Sequence, residues 1–178
     1  MINPVQLTLL QNYDIINPIE FIIIKRELFM RNICFTGHRT VRDIEKIQHD
    51  LLDIIEYLIQ NGAVNFYAGG ATGFDTLAAD TVILLRKKCP QIRLHLILPC
   101  CETEQTLRWS DTQKVKYRTI LSAADSVEYI SKHYYDGCMK KRNARLIELA
   151  DCCVCYYNDK NSASGTGQTV RMALKKRV

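Results

Sequence analysis

The chain has 178 residues, enough for one domain with a proper core and too few for two comfortable ones. Hydrophobic residues make up 47% and charged residues 24%, a soluble globular balance that excludes a disordered or low-complexity chain. The formal charge of +5 suits an anionic small ligand and falls short of the concentrated basic stripe of a dedicated nucleic-acid binder.

Residues 1–29 read as an N-terminal extension and residues 30–178 as the domain proper. Ile19 and Phe21 to Ile24 are apolar, but the run is too short to span a membrane. Lys25 and Arg26 follow the apolar run, where a signal peptide would place them ahead of it. Met30 opens a segment that starts like a domain, so the extension fits a translation start placed too far upstream. The alternative is an added edge strand or an interaction arm.

Asn32 to Thr36 is the first core strand, ending in Gly37-His38-Arg39. Val41, Ile44, Ile47, Leu51, Ile54, Ile55 and Leu58 then form one apolar helical stripe, with Thr40 as the expected cap and Asn61-Gly62 as the stop. Val64 to Tyr67 is a second strand. The turn Gly69-Gly70-Ala71-Thr72-Gly73 follows, and Phe74, Leu77, Ala78, Thr81, Val82 and Leu85 mark the next helix. A strand, a glycine turn and a helix N-terminus bring unpaired N–H groups and the helix dipole to one point, which favours a phosphate. The other reading of this stretch is a tight strand-to-helix turn with no ligand.

Arg93 to Leu98 is a third strand, followed by a polar segment from Cys101 to Trp109. Ser110 and Gln113 have capping-box spacing and start another helix. Val127 to Ile130 is a fourth strand, His133 to Gly137 a loop, and Cys138 to Ala150 a helix. Cys152 to Tyr157 is a fifth strand, Asn158 to Ser164 a polar loop, and Thr166 to Lys176 a last helix. Alternating strands and helices predict a Rossmann-like, doubly wound parallel α/β sheet in a single domain. Every unusual loop falls at a strand's carboxyl end, where such sheets bind ligands.

The eight cysteines do not read as a disulfide framework. Cys152, Cys153 and Cys155 lie in a core strand without paired metal-ligand spacing, and alternation sends Cys152 and Val154 to the face opposite Cys153. No metal site is expected, and the cofactor is left open beyond a nucleotide or nucleotide derivative as ligand. Reduced cysteines point to the cytoplasm.

Gly69 to Asp75, followed by Leu77-Ala78-Ala79, resembles the first glycine motif of the SLOG superfamily. That group of Rossmann-like proteins includes the LOG phosphoribohydrolases and the DNA-processing protein DprA. The strand-one end Cys34 to Arg39, Gln105 with Trp109, Gly137-Cys138-Met139 with Lys141-Arg142-Asn143, and Ser164-Gly165-Thr166 occur with it in order. Together they are similar to the small bacterial YpsA/YoqJ-like family within SLOG, over Met30 to Val178. The resemblance implies the fold and a pocket, with Arg142 and Asn143 facing it. Gly165-Thr166-Gly167 resembles the second SLOG motif, which in LOG enzymes carries a glutamate three residues after the threonine. Thr169 stands there in this chain.

The candidate ligand-binding residues are therefore Gly37, His38, Arg39, Gly69, Gly70, Thr72, Gly73, Asp75, Gln105, Trp109, Tyr135, Arg142, Asn143, Gly165, Thr166 and Gly167. Arg39 can bridge a phosphate or stand as a surface arginine. His38 can donate a hydrogen bond, act as a general acid, or be satisfied by backbone. Asp75 can cap its own helix or meet ribose hydroxyls, and is the candidate acid if a reaction occurs. Trp109 and Tyr135, with Tyr134 beside it, can stack on a base or pack as a lid. The expected function is binding of a nucleotide or nucleotide-derived ligand, in the manner of a sensor, with no membrane partner. One alternative is an N-glycosidic hydrolase using Asp75, Glu102 or Glu104; the other is a single-stranded nucleic-acid binder like DprA. Homo-oligomer formation is left open.

Overall fold

The computed structural model describes residues 13–17, 21–25, 30–157, 164–176 and 178. The short runs rich in β-branched, aromatic and cysteine residues form strands. These are β1 (Tyr13–Asn17), β2 (Phe21–Lys25), β3 (Asn32–Gly37), β4 (Asn65–Ala68), β5 (Arg93–Leu98), β6 (Ser126–Tyr129) and β7 (Cys152–Tyr156). The apolar stripes form α1 (Ile44–Gln60), α2 (Phe74–Arg86), α4 (Asp111–Ala123), α5 (Cys138–Leu149) and α6 (Gly165–Lys176), with the single turn α3 (Glu102–Gln105) between β5 and α4.

The strands lie in the order β1-β2-β7-β3-β4-β5-β6. The five from β7 to β6 are parallel, as the alternation predicts. Two antiparallel strands from the N-terminal extension widen the sheet. β2 runs against β7 from Phe21 opposite Tyr156 to Lys25 opposite Cys152, and β1 pairs outside it. The rest of the extension lies outside the described residues, as does the loop at 158–163.

All five parallel strands and every described helix come from residues 30–178, and on that ground we propose this range as a domain that folds by itself. Deleting residues 1–29 is then expected to move the melting temperature by only a few degrees, at about 2–4 °C for each kcal/mol lost. Aggregation or a collapse of the melting curve would make the two extra strands an integral part of the sheet.

Helices cover both faces. Against α1, α2 and α4 the core holds Phe35, Phe66 and Phe74, with Phe35 stacked on Phe66 at 6.1 Å and edge-on to Phe74 at 6.5 Å. Against α5 and α6 it holds Cys34, Cys153, Cys155, Leu146, Ile147 and Val170. Cys152 and Val154 face the first core and Cys153 and Cys155 the second, so the alternation expected for β7 holds. All eight cysteines are free thiols.

The caps follow local chemistry, with one correction. Ser110 and Gln113 form the capping box of α4, and Gly62, at φ 95°, follows the end of α1. Thr40 does not cap α1. The helix begins at Ile44, and Asp43 caps it at φ 50°, its carboxylate accepting from the Lys46 amide at 3.3 Å. The short aspartate chain reaches that amide and tolerates positive φ better than threonine's branched one.

Across the amino ends of four strands runs a hydrogen-bonded row. Asn32 donates to Asp151 at 2.9 Å and Asn65 donates to Asn32 at 2.9 Å. The His95 ring spans Asn65 Oδ1 at 3.2 Å and Ser126 Oγ at 2.7 Å. Asn65 Oδ1 can only accept, so Nε2 of neutral His95 donates and Nδ1 accepts from the Ser126 hydroxyl. Burial lowers the His95 pKa from 6.5. A depressed imidazole pKa means that the unfolded chain binds the proton more tightly. The stability held by this row is therefore full above about pH 6.5 and falls as pH drops through the folded-state value. We expect the melting temperature to decline from neutral pH toward about pH 5 more steeply in the wild type than in His95→Gln. Identical pH profiles for the two proteins would remove His95 from the titration.

Candidate functional site

β3 is the point where the chain reverses its direction of travel across the parallel strands. From β3 the chain builds outward through β4, β5 and β6, then returns to lay β7 on the other side of β3. The carboxyl ends of β3 and β7 therefore border the crevice where doubly wound sheets take ligands.

The turn after β3 and the glycine turn after β4 are fixed to each other. The Phe74 amide at the start of α2 donates to the His38 carbonyl at 3.2 Å. Gly73 sits at φ 79°, and a Cβ there would lie 2.2 Å from the Arg39 carbonyl oxygen. A Cβ on Gly37 would lie 2.5 Å from the Phe74 ring. These two glycines thus serve close backbone and ring packing. The His38 ring stacks on Tyr157 at 5.7 Å and meets the edge of Tyr156 at 6.1 Å, and burial lowers its pKa.

Gly69 and Gly70 have separate tasks. Gly70 adopts φ 64°, and its carbonyl accepts from Gln105 Nε2 at 2.7 Å. The Gln105 Oε1 in turn accepts from the Tyr117 hydroxyl at 3.4 Å, and Tyr117 meets the Trp109 ring edge-on at 5.6 Å. Gln105 and Trp109 are in this way tied to the turn. Gly69 makes room for Arg142: a Cβ would stand 1.3 Å from the Arg142 Nη1.

Arg142 and Asp75 form an ion pair of 3.2 Å, with only 7% and 5% of their surfaces exposed. Asp75 Oδ2 also accepts from the Ala71 amide at 3.4 Å. Burial pushes the Asp75 carboxyl up, while Arg142 and the Ala71 and Gly69 amides pull it back. Among the described residues, Arg142 Nε is the one buried side-chain polar atom without a hydrogen-bond partner.

Two hollows open side by side here. The inner one, about 310 Å³, is lined by Phe35, Thr36, Gly37, His38, Arg39, Ala71, Asp75, Met139, Arg142, Asn143, Leu146, Ser164, Gly165 and Thr166. The outer one, about 370 Å³, is lined by Arg39, Ala71, Glu104, Gln105, Leu107, Arg108, Trp109, Tyr134, Met139 and Arg142. Glu104 accepts from His133 Nδ1 at 2.8 Å and from the Tyr134 amide, which draws the β6–α5 loop against α3. The His133 hydrogen bond, followed by that of Tyr134, holds the Glu104 carboxyl below its usual value.

A family-wide sequence profile, that of the YspA SLOG family, matches residues 33–177. The chain belongs to the YspA SLOG family. Among its relatives, the uncharacterised SPbeta prophage-derived protein YoqJ of Bacillus subtilis (strain 168) is 33% identical over 73% of this chain and 81% of its own. A UPF0398 protein of Halalkalibacterium halodurans is 31% identical over 72% of this chain. That match spans 66% of the relative's length, just under two thirds. The fold is similar to that of DNA processing protein A from Helicobacter pylori, solved to describe its single-stranded DNA binding mode. The TM-score is 0.56 and the identity 21%, over 87% of this chain and 67% of that one.

In this SLOG chain the inner hollow gathers Gly37, His38, Arg39, Asp75, Arg142, Asn143, Gly165 and Thr166, and the outer one Gln105 and Trp109. Other expected residues fall elsewhere. Thr72 and Gly73 line a third hollow with Thr40, Val41 and Lys116. Tyr134, not Tyr135, lines the outer hollow, and Tyr135 is exposed. Gly167 is buried, its amide donating to Ser164 Oγ at 3.0 Å. Thr166 donates its hydroxyl to the Gly37 carbonyl at 2.9 Å, joining α6 to β3. Ala71, Arg108 and Leu146 were not legible as lining residues; of these, only Arg108 carries a local signal, its position beside Trp109. Among the described residues, no helix is long and apolar enough to cross a membrane.

Proposed function

We propose that this SLOG protein binds a nucleotide or nucleotide-derived ligand in the paired hollows, with the ligand's phosphate at Arg39 and Arg142. Arg142 is the observation that carries the reading. A buried guanidinium is costly, and here one carboxylate, that of Asp75, answers it while the residue also lines both hollows. Asp75 bonds one nitrogen, Nη1, and a phosphate in the hollow would be a second anionic partner for the guanidinium. The first turn of α6 opens on the same space and adds its dipole. Eight free thiols fit a reducing compartment, and we place this binder in the cytoplasm.

The hydrolase alternative gains nothing from the carboxylates nearby. Asp75 is held by Arg142, Glu102 by Arg118 at 2.6 Å, and Glu104 by His133. Thr169 is fully buried, and its hydroxyl donates to the Gly165 carbonyl of its own helix at 2.8 Å. A carboxylate free to stabilise a developing oxocarbenium charge is what that chemistry needs.

The test is calorimetric titration with adenosine and guanosine nucleotides, alongside native mass spectrometry for nucleotides that co-purify. Arg39 is exposed, so Arg39→Ala should leave the melting temperature unchanged. Loss of one charge-assisted contact should weaken nucleotide binding by about tenfold or more. Affinity unchanged in Arg39→Ala would take the phosphate away from Arg39. Preference for single-stranded DNA, falling steeply with salt, would instead favour the activity described for the Helicobacter protein.

A further inference from the structure

The two hollows are not separate pockets. They share Arg39, Ala71, Met139 and Arg142, so the two guanidinium groups stand at the junction between them. Here there is room on both sides of the charge. The outer side offers apolar and aromatic walls in Leu107, Trp109 and Tyr134. The inner side offers Asn143, Ser164 and Thr166, groups suited to hydroxyls.

The geometry points to a bipartite ligand, in which a pyrophosphate bridge lies at Arg39 and Arg142 between a planar base in the outer hollow and a hydroxyl-bearing sugar or nucleoside in the inner one. This rests on the nucleotide-binding reading above and goes beyond it in naming the ligand class. Two guanidinium groups match the two charges of a pyrophosphate, and the Asp75 contact keeps Arg142 from swinging to either side. A mononucleotide fills one hollow and leaves the other to water. The inner hollow, about 310 Å³, has room for one sugar or nucleoside, which favours a compact molecule over a longer strand.

Calorimetry on the full chain separates these cases with five probes: AMP, ADP, ADP-ribose, NAD and an oligothymidylate. ADP-ribose or NAD should bind about tenfold or more tightly than AMP and ADP, because only the bridged probes occupy both hollows. Trp109→Ala should weaken all four nucleotides by about 5- to 100-fold through lost stacking, and Trp109→Phe, the smaller change to the core, should retain most of the binding. Asn143→Ala should weaken the bridged probes several-fold and leave AMP unchanged. AMP or ADP binding as tightly as the bridged probes overturns the bipartite ligand and leaves the nucleotide reading standing. Equal losses for AMP and NAD in Asn143→Ala do the same. Oligothymidylate binding above every free nucleotide overturns the compact ligand in favour of a strand, and silence from every probe removes both readings.

Discussion

Gly69→Ala is expected to abolish nucleotide binding and to destabilise the protein by several kcal/mol. The added carbon would stand 1.3 Å from Arg142 Nη1, 2.4 Å from its Cζ and 2.8 Å from Asp75 Oδ2. No rotamer adjustment of tenths of an ångström clears the first two distances, so the guanidinium must leave its place over the turn. Its departure breaks a buried ion pair, at roughly 3–5 kcal/mol, and empties the junction of its better-fixed cation. The melting temperature should fall by about 6–20 °C, at 2–4 °C per kcal/mol. Gly165→Ala is the contrast, since a Cβ there meets nothing within 4 Å. It should leave stability close to the wild type's, because the added methyl meets no neighbour. Thermal melts of the two variants decide the matter. A Gly69→Ala protein that melts like the wild type would mean that Arg142 does not occupy the position over the turn.

The contrast between these two glycines marks what the sequence could and could not tell. Strand, turn and helix followed from local periodicity, and the five parallel strands with their loops at one end followed from the alternation of elements. The resemblance placed Arg142 and Asn143 in the pocket, and both line it. The reasons for individual residues were harder to read. The glycine turn looks like a phosphate cradle, yet Gly69 is there to admit an arginine 73 positions later (142 − 69) and Gly70 stands against Leu98. No local pattern links Asp75 to Arg142, because their contact depends on α5 crossing back over β3 after four further elements. Asp75 was open to capping or ribose contact, and neither reading anticipates a buried ion pair. The two N-terminal strands were legible only as the lesser alternative for their segment. Their pairing with β7 is long-range information, and a short apolar run carries too little to specify it.

Arg142→Met should be stable at low pH and progressively unstable as pH rises. Removing the guanidinium leaves Asp75 buried, without the charge that opposes its desolvation. Its pKa, already raised by burial, must climb further. For a carboxyl whose folded-state pKa lies above the unfolded value of about 3.9, the folded chain holds the proton more tightly. The stability it contributes is complete below that unfolded value and is lost as pH rises through the folded-state pKa. At neutral pH the lone carboxylate should cost the variant roughly 3–5 kcal/mol. The double variant Arg142→Met with Asp75→Asn removes both charges while the Asn Oδ1 still accepts from the Ala71 amide. Most of the stability should then return, and with it a flat pH profile, since a buried pair replaced as a unit is often near neutral. Nucleotide affinity should not return, because the junction still lacks its cation. Melting curves across pH for both variants, with a nucleotide titration of the double, separate the two roles of Arg142. A double variant that is stable and binds nucleotide like the wild type would make the ion pair purely structural and move the ligand's phosphate elsewhere.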